Sequence, residues 1–215
     1  MKPKIDTPEI YEDLRNKLMT AYFKQGQKLK PSELTEHYSC SVNTIRETLF
    51  RLSTVGLVTA EEQRGFRSSP VSRQRQHDLT NFRITLEQQG VLQSMRNGGI
   101  EWEARLTASH HKLSHIESRI SKTGDVVPVI TPWCAAEWEF HETLVSASDS
   151  PVLRETFRSV YDQFRQQLVS PEHNYGFLEG NIVEHKRIVD AALTGNVDEV
   201  CVAIYDHLRR NLIRD

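Results

Sequence analysis

The chain is poor in the residues and runs that would assign it to a membrane, an oxidising compartment or a common enzyme class. Its 215 residues include three cysteines, Cys40, Cys134 and Cys201, far apart and without a CxxC pair, so no disulfide framework, zinc ribbon or dithiol motif is encoded. The start, Met1 to Thr7, is charged rather than apolar, and no run of about 18 apolar residues follows, so neither a signal peptide nor a membrane span is expected and a cytoplasmic location is. A glycine-rich phosphate loop, a G-x-S-x-G turn and an H-E-x-x-H pair are also missing, and with them the signature of any particular reaction. Internal repeats and low-complexity tracts are absent.

Net charge is only −2, which argues against a polyanion partner until the chain is divided near residue 75. Residues 1–75 hold 13 Lys and Arg against 9 Asp and Glu, a balance of +4, so the remainder carries −6. Nucleic-acid binding, where it exists, therefore belongs to the first third.

That third reads as a compact helical reader with a hairpin. Ile10, Leu14 and Leu18 recur every four residues, the apolar stripe of a first helix. After Gly26 a short helix over Pro31–Tyr38 offers Leu34 and Tyr38 to a core, with proline suited to its first turn. Ser41 is placed to cap a third helix whose Ile45, Leu49 and Leu52 face inward while Asn43, Arg46 and Glu47 face out. Leu57 to Ala60 and Phe66 to Ser68 are strand-like and bracket a polar turn, so a two-stranded wing follows the helix-turn-helix. In such a unit the start of the third helix enters the major groove. There Asn43, Thr44 and Arg46 meet bases or phosphates. Arg64 and Gly65 form the wing tip, where arginine suits a narrow, negative minor groove.

The run Ser41-Val42-Asn43-Thr44-Ile45-Arg46-Glu47-Thr48-Leu49, continued by Arg51-Leu52, Gly56-Leu57-Val58 and Arg64-Gly65-Phe66, resembles the recognition-helix and wing signature of GntR-family regulators. The resemblance implies DNA contacts from Thr44, Arg46, Arg64 and Gly65, beside the capping Ser41. Val42 stands where a basic residue is usual and Ser32 where a charged one is frequent, so the operator sequence is not carried over.

Beyond a polar linker at 71–77, helical periodicity takes over. Leu79 to Val91, Trp102 to Ile120, Trp133 to Ser148, Pro151 to Val169, Asn181 to Gly195 and Val197 to Asp215 predict a six-helix bundle, with a loop over Thr123 to Thr131. The expected fold is thus mostly α, with a winged helix-turn-helix at 1–70 and an all-α domain at 78–215. Phe140 to Leu144, Glu184 to Ile188 and Asp206 to Leu208 resemble the FCD effector domain of the FadR subfamily.

Many such domains hold a divalent ion through an Asp-x-x-x-His pair and two later histidines, and the matching positions here are Glu137, His141, His185 and His207. Glutamate for aspartate adds a methylene. Independently of the family, Glu137 and His141 stand four apart and share a helix face. One carboxylate and three imidazoles suit zinc or another first-row divalent ion such as nickel or manganese, with positions left open for a small carboxylate effector. Arg83 resembles an arginine near the family's pocket and is placed to pair with that anion. His110, His111 and His115 crowd one helix and receive no role. The expected function is a homodimeric, metabolite-responsive regulator, more often a repressor, on a pseudo-palindromic operator. Two alternatives stand beside it: a metal-dependent enzyme using the same Glu/His cluster, and a helical adaptor.

Overall fold

Ser41 begins the recognition helix as its sequence requires: its Oγ accepts the Thr44 backbone N–H at 3.1 Å, and helix α3 runs Val42–Thr54. Ile45, Leu49 and Leu52 are fully buried on its inner face, against helices α1 (Thr7–Met19) and α2 (Pro31–Tyr38). The computed structural model describes residues 7–169 and 176–213. The first six residues of the expected DNA-binding domain and the last two of the helical domain lie outside that range.

Strands β2 (Val58–Glu61) and β3 (Gly65–Ser68) form the expected hairpin. A further two-residue strand, β1 (Lys28–Leu29), pairs antiparallel with β3, so the sheet has three strands in the order β1-β3-β2. The turn closes at Gly65, whose φ of +87° is a left-handed conformation that side chains resist.

Ser72 caps the next helix through the Arg75 N–H, and α4 begins at Arg73 and runs to Asn97. The stretch expected as a linker is therefore helical from its third residue, leaving Val71 and Ser72 between wing and helix. Five more helices follow: α5 (Gly99–Thr123), α6 (Ile130–Val145), α7 (Pro151–Leu168), α8 (Asn181–Leu193) and α9 (Val197–Leu208). A single 3-10 turn at Val127–Val129 interrupts the expected α5–α6 loop, and another at Arg209–Asn211 ends the chain's last helix earlier than periodicity suggests. Helix α4 packs against α6, α7 and α9. At Gly90 a Cβ would lie 2.6 Å from Val145 Cγ1, which is why α6 can approach so closely.

Helix α7 also braces the DNA-reading unit. Arg15 on α1, 5% exposed, donates from Nε and Nη2 to the Asp162 carboxylate at 2.6 and 2.5 Å. Gln166 Nε2 donates to the Leu57 carbonyl at 2.9 Å and Gln167 Nε2 to that of Pro70 at 3.2 Å. One face of α7 thus holds the winged helix, while Tyr161, Phe164 and Arg165 turn toward the interior of the bundle.

Candidate functional site

Two surfaces carry chemistry. On the first, Ser41, Asn43 and Arg46 are exposed at the start of α3, and Arg64 and Gly65 are exposed at the hairpin tip. Thr44 is half-buried, and its hydroxyl lies 2.8 Å from Ser41 Oγ, so part of its hydrogen-bonding capacity is used in the cap. Among the described residues neither Arg46 nor Arg64 has an acidic partner. Two uncompensated guanidinium groups on one edge are what a phosphate backbone attracts.

The second site lies inside the bundle. His141 on α6, His185 on α8 and His207 on α9 bring one ring nitrogen each within 4.8 Å of the others. All three rings are buried. Each Nδ1 meets a carboxylate: His141 with Glu87 at 2.5 Å, His185 with Glu117 at 3.3 Å, His207 with Glu184 at 2.8 Å. A carboxylate accepts, so each Nδ1 carries a proton, which leaves Nε2 as the nitrogen of the ring that can offer a lone pair to a metal. Nε2 of His141 and of His185 is buried with no hydrogen-bond partner. Buried polar atoms are seldom left so, and convergent lone pairs are the donor set of a divalent ion.

Arg83 and Glu87 extend this arrangement along α4. Arg83 Nε donates to Glu87 Oε2 at 3.0 Å, and its guanidinium lies over the rings of Tyr161 and Phe164 at 4.8 and 4.6 Å. Its Nη2 is buried without a partner. Burial alone would raise the Glu87 carboxyl, but His141 and Arg83 outweigh it and hold it well below the usual range. Glu137 is paired with a cation instead: its Oε2 lies 3.0 Å from Arg165 Nη1, and the Arg165 guanidinium sits 4.4 Å over the Trp133 ring. Burial alone would raise the Glu137 carboxyl, but Arg165 first and then His141 and His185 draw it down. Arg83, Glu137, Arg165 and His207 line one cavity of about 1340 Å³.

The sequence assigns no role to Glu87 or Glu117, and Glu184 enters it only within the stretch that resembles the FCD domain. A signal for two of them was present. Glu87 follows Arg83 and Ile84 in the buried register of α4 that continues to Val91, and Glu117 interrupts the core positions Leu113 and Ile120 of α5. A carboxylate in a core register requires a buried partner.

Burial, above all, pushes the His141 imidazole down to about 4 and holds His207 well below its ordinary value. An unfolded histidine titrates near 6.5, so between about pH 6.5 and 4 the unfolded chain binds more protons than the metal-free native state. Stability of chelator-stripped protein should therefore fall as pH drops through that window, by roughly 3 kcal/mol from His141 alone. Urea unfolding at several pH values checks this. Glu87 adds its own loss only at lower pH, where carboxylates protonate, so a stability that stays level down to about pH 4.5 contradicts the buried neutral imidazole.

Comparison with known proteins bears on both surfaces. Residues 78–210 match the FCD domain, and residues 7–67 match the bacterial regulatory proteins of the gntR family. The chain is 30% identical over 203 residues to the HTH-type transcriptional regulator BphR of Paraburkholderia xenovorans (strain LB400), covering 94% of this chain and 82% of that protein. It is 27% identical to the HTH-type transcriptional repressor GlaR of Escherichia coli (strain K12), covering 92% and 90%. Among solved structures, E. coli McbR/YncC superposes with a TM-score of 0.77 at 18% identity, covering 95% of this chain and 94% of that one. A putative GntR regulator from Rhodococcus sp. RHA1 gives 0.73 at 21% identity, with the same shares. These two likenesses show the fold.

Proposed function

Since the chain belongs to the GntR family of bacterial regulatory proteins, a transcriptional regulator whose C-terminal part is an FCD domain, we propose that it is a homodimeric repressor. In this reading it binds a pseudo-palindromic operator and is relieved by a small carboxylate bound beside a divalent metal ion. The observation that carries the effector half is the trio of buried imidazoles, each with Nδ1 held by a carboxylate and with one ring nitrogen of each within 4.8 Å of the others. His141, His185 and His207 hold the ion, zinc or another first-row divalent metal such as nickel or manganese, and Glu137 is the fourth candidate ligand. The metal, when bound, supplies a Lewis-acidic centre for a carboxylate oxygen. Arg83 supplies the complementary charge through its unpartnered Nη2. The apolar rings of Tyr161 and Phe164 fix that guanidinium and exclude water around it.

An effector changes DNA affinity only as far as it binds two arrangements of the protein unequally. Helix α7 is the element that both sites share, since Arg165 lines the cavity while Asp162 and Gln166 grip the winged helix. A shift of α7 on ligand binding is thereby passed to the spacing of the two recognition helices of a dimer.

The DNA half rests on Arg46 and Arg64. Arg46→Ala should weaken binding to DNA from the gene's own upstream region by about 1–3 kcal/mol, or roughly five- to 150-fold, and Arg64→Ala by less. Fluorescence anisotropy at one fixed salt concentration measures both. If neither variant differs from the parent protein, the docking mode is wrong.

A further inference from the structure

The outward edge of α3 does not end at Glu47. Asn43, Arg46, Glu47 and Phe50 stand at i, i+3, i+4 and i+7 along the helix, and all four are exposed. That spacing gathers side chains on one face, and it is the spacing at which the third helix of a homeodomain reads the major groove. Phe50 differs from the other three in kind. It is 60% exposed, and among the described residues it packs against neither apolar core. A scattered surface aromatic needs no explanation, but one in register with a guanidinium that has no acidic partner does.

The side chains around Phe50 are engaged by the protein itself. Arg51, next in sequence, sets its guanidinium 4.6 Å over the Tyr11 ring on α1. Ser53 Oγ donates to the Phe50 carbonyl at 2.6 Å and Thr54 Oγ1 to that of Arg51 at 2.8 Å, so the hydroxyls of the last turn serve their own helix. Phe50 therefore closes the reading edge. It lies about 6 Å beyond Arg46 along the axis, four residues at about 1.5 Å each. The major groove is about 12 Å wide, so a helix that brings Arg46 to a base keeps Phe50 within the same groove.

We infer that Phe50 is a specificity-determining residue that reads the C5-methyl group of a thymine, one helical turn beyond the contact made by Arg46. This rests on the reading of α3 as the major-groove helix and deepens it by naming a base. A phenyl ring has no donor or acceptor. Guanine, adenine and cytosine present only hydrogen-bonding groups in that groove, which the ring would strip of water without replacing it. Thymine alone offers an apolar group for it to cover.

The test uses full-length protein and the duplex that it protects in a footprint of the gene's own upstream region. Each thymine is replaced in turn by uracil, which keeps the hydrogen-bonding edge and removes only the methyl group. Binding is followed by fluorescence anisotropy at one salt concentration. At one or more thymines the parent protein should bind about fourfold more weakly, the worth of one buried methyl group. Phe50→Ala, a change at an exposed side chain, should lose the dependence at those thymines and keep the parent's response at all others. Phe50→Leu, still apolar, should retain part of it. If no thymine methyl matters, or if Phe50→Ala keeps the parent's whole uracil profile, the inference is refuted and DNA reading by α3 stands on Arg46. An altered oligomeric mass in Phe50→Ala would also overturn it, because the ring would then be covered by a second copy of the chain. If the parent protects no part of the upstream region, the DNA reading falls and this inference with it.

Discussion

Replacing His185 with alanine is expected to abolish uptake of the divalent ion proposed for the three-histidine site, and with it the stability such an ion would confer. In the folded chain the three imidazoles are buried, with Nδ1 committed to Glu87, Glu117 and Glu184. The cost of ordering them is thus met by the fold, and a metal gains three aligned lone pairs at once. A ligand present at a thousand times its Kd stabilises the native state by about 4 kcal/mol. Elemental analysis of the parent protein should find close to one ion per chain, and His185→Ala and His207→Ala should find none. A chelator should lower the parent's melting temperature and leave the variants where they are. Glu117→Gln separates holding from ligating: it keeps the imidazole but weakens its orientation and basicity, for a loss of about ten- to a hundredfold in metal affinity. A parent protein that takes up no zinc, nickel or manganese, even when these are supplied, would remove the site altogether.

Asp162→Ala should cost about 3–5 kcal/mol, because it leaves the Arg15 guanidinium buried without its bidentate partner. Glu12, half-exposed at 3.3 Å, is a poor substitute. The reverse substitution should be milder. Burial pushes the Asp162 carboxyl up even beside Arg15, so in Arg15→Met it can take up a proton and remain as a neutral group. Denaturant unfolding of both variants measures this asymmetry. Equal, small losses would mean that α1 and α7 are not held by this pair. Because the same contact joins the winged helix to the wall of the cavity, either variant should also blunt the response of DNA binding to effector more than it alters DNA binding itself.

Local chemistry made much of this legible in advance. The cap at Ser41 and the inward residues Ile45, Leu49 and Leu52 sit where a 3.6-residue period places them. The six helices of the bundle follow the same rule. Strand β1 was not legible, since two residues carry no alternation and Lys28 and Leu29 become a strand only because β3 is there to pair with them. The start of α4 at Arg73 was hidden by a polar first turn, which exposes nothing apolar to mark it. Of the candidate ligands, His141, His185 and His207 converge, while Glu137 is drawn to Arg165, a partner on another helix that spacing along α6 cannot reveal.

The order of residues by itself determined the winged helix-turn-helix, the helical bundle and the family, because caps, periods and a continuous signature are written within short stretches of chain. Only the tertiary structure decided that three carboxylates from α4, α5 and α8 meet Nδ1 of the three histidines, that α7 contacts both domains, and that the segment between α1 and β1 lines the cavity. Those features depend on which helix faces which. A period identifies the side of a helix that is buried, and packing alone chooses what it is buried against.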